Sequence, residues 1–140
     1  MLDTGGLRPA LGCRLAARTA VIAARLLARQ PPRRIRAVLG VVRRGARPAR
    51  YEQALRARRE VTAVSTLCAG RYCLQRSLAT ALLCRMRGRW PTWCSGVRTA
   101  PFAAHAWVEA EGRPVGEPDD TAAYHAMIKV EQGQRLGTAS

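Results

Sequence analysis

The chain has 140 residues, 24 basic against 9 acidic groups and a formal net charge of +15. That length suits one domain, burying roughly 65–70% of the surface its unfolded chain exposes. Five cysteines, at 13, 68, 73, 84 and 94, are neither even in number nor regularly spaced, which excludes a small disulfide scaffold and points to a reducing cytosol.

The charge is uneven: residues 1–100 carry 21 basic groups against 3 acids, and residues 101–140 carry 3 against 6. Such a body favours anionic partners without choosing among nucleic acid, a membrane surface and an acidic peptide. Arginine used almost to the exclusion of lysine is ascribed to the coding bias of a GC-rich genome. No run approaches the roughly 18–20 apolar residues of a membrane span. "RLAARTAVIAARLLARQ" has arginines throughout, unlike the uncharged centre of a signal peptide; it shares the acid-free character of a transit peptide and reads as an ordinary basic helix.

In chain order, Cys13 opens a first helix on which Arg14, Arg18, Arg25 and Arg29 fall in a stripe about 60° wide, with Leu15, Ile22, Leu26, Leu27 and many alanines around the rest. "QPPRR" ends it, because consecutive prolines remove donors and clash with the preceding turn. "RRIRAVLGVVRRG" is a second helical piece stopping near Gly45. A third helix runs from about Arg50 to Leu67, with Ala54, Ala57, Val61 and Val64 on its buried side. After "CAG" a fourth runs from Cys73 to about Met86, with an apolar stripe of Leu74, Leu78, Ala81 and Leu82 and a stop at Gly88. The period then changes. "TWCSGVR" reads as a strand, "AAHAWVEAEGRPVGE" as two strands joined by the turn "AEGR", and "YHAMIKVEQ", alternating Ala126, Ile128 and Val130, as a further strand. Helices first and a small antiparallel sheet afterwards make the fold class α+β. The division is a basic helical region over 1–49 and a core over 50–140, forming one compact unit.

Cys73 stands where a helix begins, with Arg71 and Arg76 close by. Unpaired N–H groups and the positive end of the helix dipole favour its thiolate; the alternative is a small buried hydrophobe. A thiolate enzyme also needs a base, and the chain has two histidines. His105 shares a strand face with Trp107 and Glu109, while Ala104, Ala106 and Val108 take the other. It is either that base or a half-buried sheet histidine; His125 reads as a surface residue. A third group would hold the imidazole in its useful tautomer. Glu117 ends the strand that runs back beside His105, and Asp119 and Asp120 are alternatives, all three also fitting a solvated acidic loop. With no CxxC or HxxxH pair, metal binding is weakly supported. Cys84 and Cys94 read as packing residues.

The order of these features resembles the lasso-peptide leader peptidases, small bacterial members of the transglutaminase-like cysteine protease superfamily. The resemblance covers roughly residues 65–130: Cys73 in "CLQRSLA", His105 in "HAWVE" and an acid after "GRPV". It implies a transglutaminase- or papain-like core and a cytoplasmic peptidase without cofactor. On the matching positions Cys73 is nucleophile, His105 general acid and base, and Glu117 the orienting acid, where the family more often has aspartate. The implied substrate is a ribosomally made precursor, whose leader is removed before a separate ATP-dependent cyclase closes the macrolactam. Residues 1–50 lack the strands of the family's recognition module, so the chain resembles the free-standing type, which works with a separate leader-recognition protein. No side-chain oxyanion donor stands out; Gln75 is one candidate. Two rivals remain: a non-catalytic scaffold of the same fold, and a basic nucleic-acid-binding module, poorly provided with stacking aromatics because only Tyr51 and Tyr72 precede Trp90.

Overall fold

A computed structural model describes residues 2–64, 73–99, 102–117 and 124–131. Helix α1 spans Leu2–Leu27, α2 Pro32–Val42, α3 Tyr51–Val64 and α4 Cys73–Met86. A four-stranded antiparallel sheet follows, built from β3 (Thr92–Thr99), β4 (Phe102–Ala110), β5 (Arg113–Pro114) and β6 (His125–Val130) in the order β5-β4-β3-β6. Two short segments, β1 (Arg47–Pro48) and β2 (Arg89–Trp90), pair in parallel and strap the chain before α3 to the chain after α4. The α+β class read from the sequence is the observed one.

Local chemistry accounts for most boundaries. Pro32 occupies the first turn of α2, where a missing N–H costs nothing, and Ile35 and Leu39 bury one face of that helix. At the start of α3 the Gln53 side chain accepts the Arg50 N–H at 2.9 Å, and Glu111, reaching over from the sheet, accepts the Tyr51 N–H at 3.0 Å. Both satisfy donors that a helix start leaves orphaned. Gly88, at φ 82°, stops α4 in the left-handed region that glycine enters without cost.

Three expectations are corrected. Helix α1 begins at Leu2, so Cys13 lies within it and does not open it; Gly5, Gly6 and Pro9, poor residues for a helix interior, hid the extension. Helix α4 has no single apolar stripe. Ser77, Leu78, Ala79, Thr80, Ala81, Leu83 and Cys84 are all buried, whereas Leu74 and Leu82 are half-buried. It is the central helix, enclosed by α1, α3 and the sheet. Small side chains let neighbours approach on every side, and the two hydroxyls bond back to the helix, Ser77 to the Leu74 carbonyl at 2.9 Å and Thr80 to that of Arg76 at 2.7 Å. In β6 the alternation fails at Ala126, which is exposed; Val130 is buried and Ile128 half-buried. Strand β6 is an edge, and its register against β3 shifts between Ser95 and Gly96. At that shift a side chain on Gly96 would meet the His125 carbonyl oxygen at 2.3 Å.

The third helix is described to Val64, and the rest of its expected span lies outside the described residues. One core joins α1 (Ala17, Ala20, Val21, Ala24), α2, α3 and α4 to Trp90, Trp93, Val108, Val115 and Val130. Both tryptophans are satisfied as well as buried: Trp90 Nε1 donates to the Val130 carbonyl at 2.9 Å and Trp93 Nε1 to Ser77 Oγ at 3.0 Å.

Candidate active site

Strands β4 and β5 form a hairpin whose two-residue turn has positive φ at both positions, 55° at Glu111 and 77° at Gly112. This geometry matches the twist of the flanking strands. Pairing continues past β5, with the Val115 N–H donating to the Val108 carbonyl at 2.9 Å. Gly116, at φ 64°, ends it one residue before Glu117, which arrives beside His105.

His105 Nε2 donates to Glu117 Oε1 at 2.7 Å. The other carboxylate oxygen, Oε2, lies 3.6 Å from Nε of Arg58 on α3, and the Glu117 side chain is only 3% exposed. With Nε2 engaged, Nδ1 is the ring nitrogen left for Cys73, the first residue of α4, whose thiol hydrogen-bonds the imidazole and receives a backbone N–H from Ala106. The ring stacks on Trp107, centroids 5.6 Å apart and planes 17° apart, and meets Tyr124 at 5.3 Å. Tyr124 lies beneath the Arg98 guanidinium at 5.2 Å. The imidazole is thus clamped by aromatic walls and two polar partners.

Electrostatics follow from these contacts. Burial is the largest influence on the Cys73 thiol and by itself raises its pKa. The hydrogen bonds from His105 and Ala106 and the charges of His105 and Arg76 together outweigh it, and the net shift is downward. The His105 pKa rises to about 9, through its hydrogen bonds to Cys73 and then Glu117, with burial opposing. A lowered thiol beside a raised imidazole is the condition for a thiolate–imidazolium pair near neutral pH. Cys84 and Cys94 are different: burial pushes each up to about 12.

The structure therefore brings Cys73, His105 and Glu117 together and leaves His125 exposed. Asp119, Asp120, Cys68, Arg71 and Tyr72 lie outside the described residues. The Gln75 side-chain oxygen is buried with no hydrogen-bond partner among the described residues. Among them, too, no three His, Cys, Asp or Glu side chains converge as a metal-ligand set, and no helix is long and apolar enough to cross a membrane.

Sequence reasoning missed Arg58, Tyr51 and Tyr124. Arg58 lies at the edge of the buried arc of α3, about 40° from Ala54, and a half-buried cation there demands a partner, which was the available signal. The Tyr51 hydroxyl accepts the Gly116 N–H at 3.3 Å, and a side chain on Gly116 would meet Arg58 Cδ at 3.0 Å and Leu55 Cδ1 at 3.2 Å. Helix α3 thus grips the backbone that presents Glu117.

Helices packed on an antiparallel sheet, with the thiol on the central helix and the imidazole on the adjoining strand, define a transglutaminase-like domain. A sequence profile of the Transglutaminase-like superfamily matches residues 17–129, and the chain belongs to that superfamily, which has cysteine protease members. No curated protein matches the chain, and neither does any solved structure.

Proposed function

We propose that this protein is a cysteine peptidase that removes the leader from a ribosomally made lasso-peptide precursor before macrolactam closure. The observation that carries the reading is the continuous chain of contacts from Cys73 through His105 to Glu117, with the thiol pKa lowered and the imidazole pKa raised to about 9. A scaffold without catalysis has no need of such a pair. The same superfamily membership and the order of "CLQRSLA", "HAWVE" and "GRPV" support the narrower assignment.

In the proposed reaction the Cys73 thiolate attacks the carbonyl at the leader–core junction, forming a tetrahedral oxyanion that backbone N–H groups at the start of α4 stabilise. His105, as imidazolium, protonates the departing amine, and the C–N bond breaks to leave a thioester. The now neutral imidazole takes a proton from water, whose oxygen attacks the thioester and releases the acid and the thiolate. Glu117 holds the ring in position and stabilises its cation, and Arg58 holds Glu117. The partners in this reading are the leader peptide, a separate leader-recognition protein and the ATP-dependent cyclase, in the cytoplasm.

The test is incubation of the purified protein with a precursor peptide, with and without the recognition protein, followed by mass spectrometry of the products. Release of the intact leader by the native chain but not by Cys73→Ala supports the proposal. Equal cleavage by both sinks it.

A further inference from the structure

Helix α1 has two working faces and the fold uses one. Ala17, Ala20, Val21 and Ala24 are buried against the core, while on the far side Leu15, Ile22 and Leu26 stand 62%, 60% and 58% exposed. With Thr19, also exposed, they are spaced four, three and four residues apart. At 100° per residue they occupy a band about 60° wide and roughly 16 Å long. The Thr19 hydroxyl bonds back to the Leu15 carbonyl at 2.9 Å, so the band presents no unsatisfied hydroxyl donor. Arg14, Arg18 and Arg25, all exposed, run along one edge of it, Arg29, also exposed, follows in the turn after Leu27, and no carboxylate among the described residues pairs with these four.

Alternating steps of four and three are the heptad seam of knobs-into-holes packing, with Arg18 and Arg25 at the flanking positions that set partner choice by charge. We infer that this face docks an acidic amphipathic helix of another polypeptide, one with aliphatic residues at heptad spacing and glutamates or aspartates beside them. Three observations select that occupant. The apolar band is narrow, as in a helix–helix seam, whereas a helix lying in a membrane surface needs a broad apolar arc. A second copy packed antiparallel across a two-fold axis would set arginine against arginine, and a parallel pair would likewise bring together two chains of net charge +15. The uncompensated arginine edge calls for carboxylates. The inference concerns a surface away from the thiol and does not depend on the peptidase reading.

The experiment uses the full chain and a fluorescein-labelled peptide of four heptads with Leu and Ile in the seam and Glu at both flanking positions, read by anisotropy. The expected result is salt-sensitive binding that falls at least tenfold in Ile22→Ser and in Arg18→Glu/Arg25→Glu. A peptide with Lys in place of Glu should bind the double charge reversal better than the native chain. That swap separates lost recognition from lost folding. No binding of the Glu peptide, binding indifferent to these substitutions, or stronger Ile22-dependent binding to phosphatidylserine vesicles or duplex DNA than to the peptide would each overturn the inference.

Discussion

Replacing Glu117 with Gln exchanges one carboxylate oxygen for an NH2 group and removes the charge that faces His105. The carboxylate touches the imidazole at 2.7 Å and is 3% exposed, so solvent does little to screen it. An opposite charge at such range favours the charged form of its neighbour by about one to three pH units. The native imidazole, with a pKa of about 9, should therefore titrate in Glu117→Gln between roughly 6 and 8. The sign is downward because the imidazolium is the form that loses its partner. At pH 8 the native ring is about nine-tenths protonated, and the variant would be from about half to a hundredth protonated. If the imidazolium donates the proton to the leaving amine, turnover at pH 8 falls about two- to a hundredfold while KM hardly moves. Glu117→Asp should recover much of that loss. The assays are the basic limb of kcat/KM against pH and an NMR titration of the His105 ring, the second independent of any substrate. A Glu117→Gln protein whose ring still titrates near 9 would refute the reasoning.

Arg58→Met should move the same limb the other way, above about 9, because it removes a cation behind the carboxylate and leaves His105 as the sole claimant; a fall would show that Arg58 mainly positions Glu117. Iodoacetamide at neutral pH should label Cys73 ahead of Cys84 and Cys94, whose thiols are buried and pushed up to about 12, and peptide mapping of the alkylated native protein will show the order; early labelling of Cys84 or Cys94 contradicts it. Gly96→Ala should destabilise the fold by about 3 kcal/mol or more, since the added carbon would lie 2.3 Å from a backbone oxygen of β6 and the strand must move. Urea unfolding measures this, and a loss under about 1 kcal/mol would show that β6 yields easily.

Much of this arrangement is readable in advance because local chemistry writes it. Helix α4 runs from Cys73 to Met86 as its "CAG" approach and Gly88 stop indicate. The contact between His105 and Glu117 follows from a glutamate–glycine turn that sets the hairpin register, so that positions twelve apart meet. Arg58 escaped because its partner lies 59 residues away, and neither side chain announces the other. The enclosure of α4 escaped for a similar reason: its apolar pattern shows which residues are small, and only the packing of three neighbouring layers decides that all sides are covered. Segments of two residues such as β1 and β2 have no periodicity to detect.

The imidazole and its carboxylate belong to one hairpin, whereas the thiol arrives from 32 residues earlier on a helix. A hairpin closes in about 1–10 μs, but docking α4 against β4 closes a far longer loop and waits on the rest of the core. During synthesis Cys73 leaves the ribosome before either partner does. Until the helix seats, its sulfur meets water and has no imidazole beside it. A lowered thiol pKa is then a property acquired by the completed fold: a nascent, misfolded or partly opened chain carries an ordinary thiol, and the perturbed one exists only in the native state.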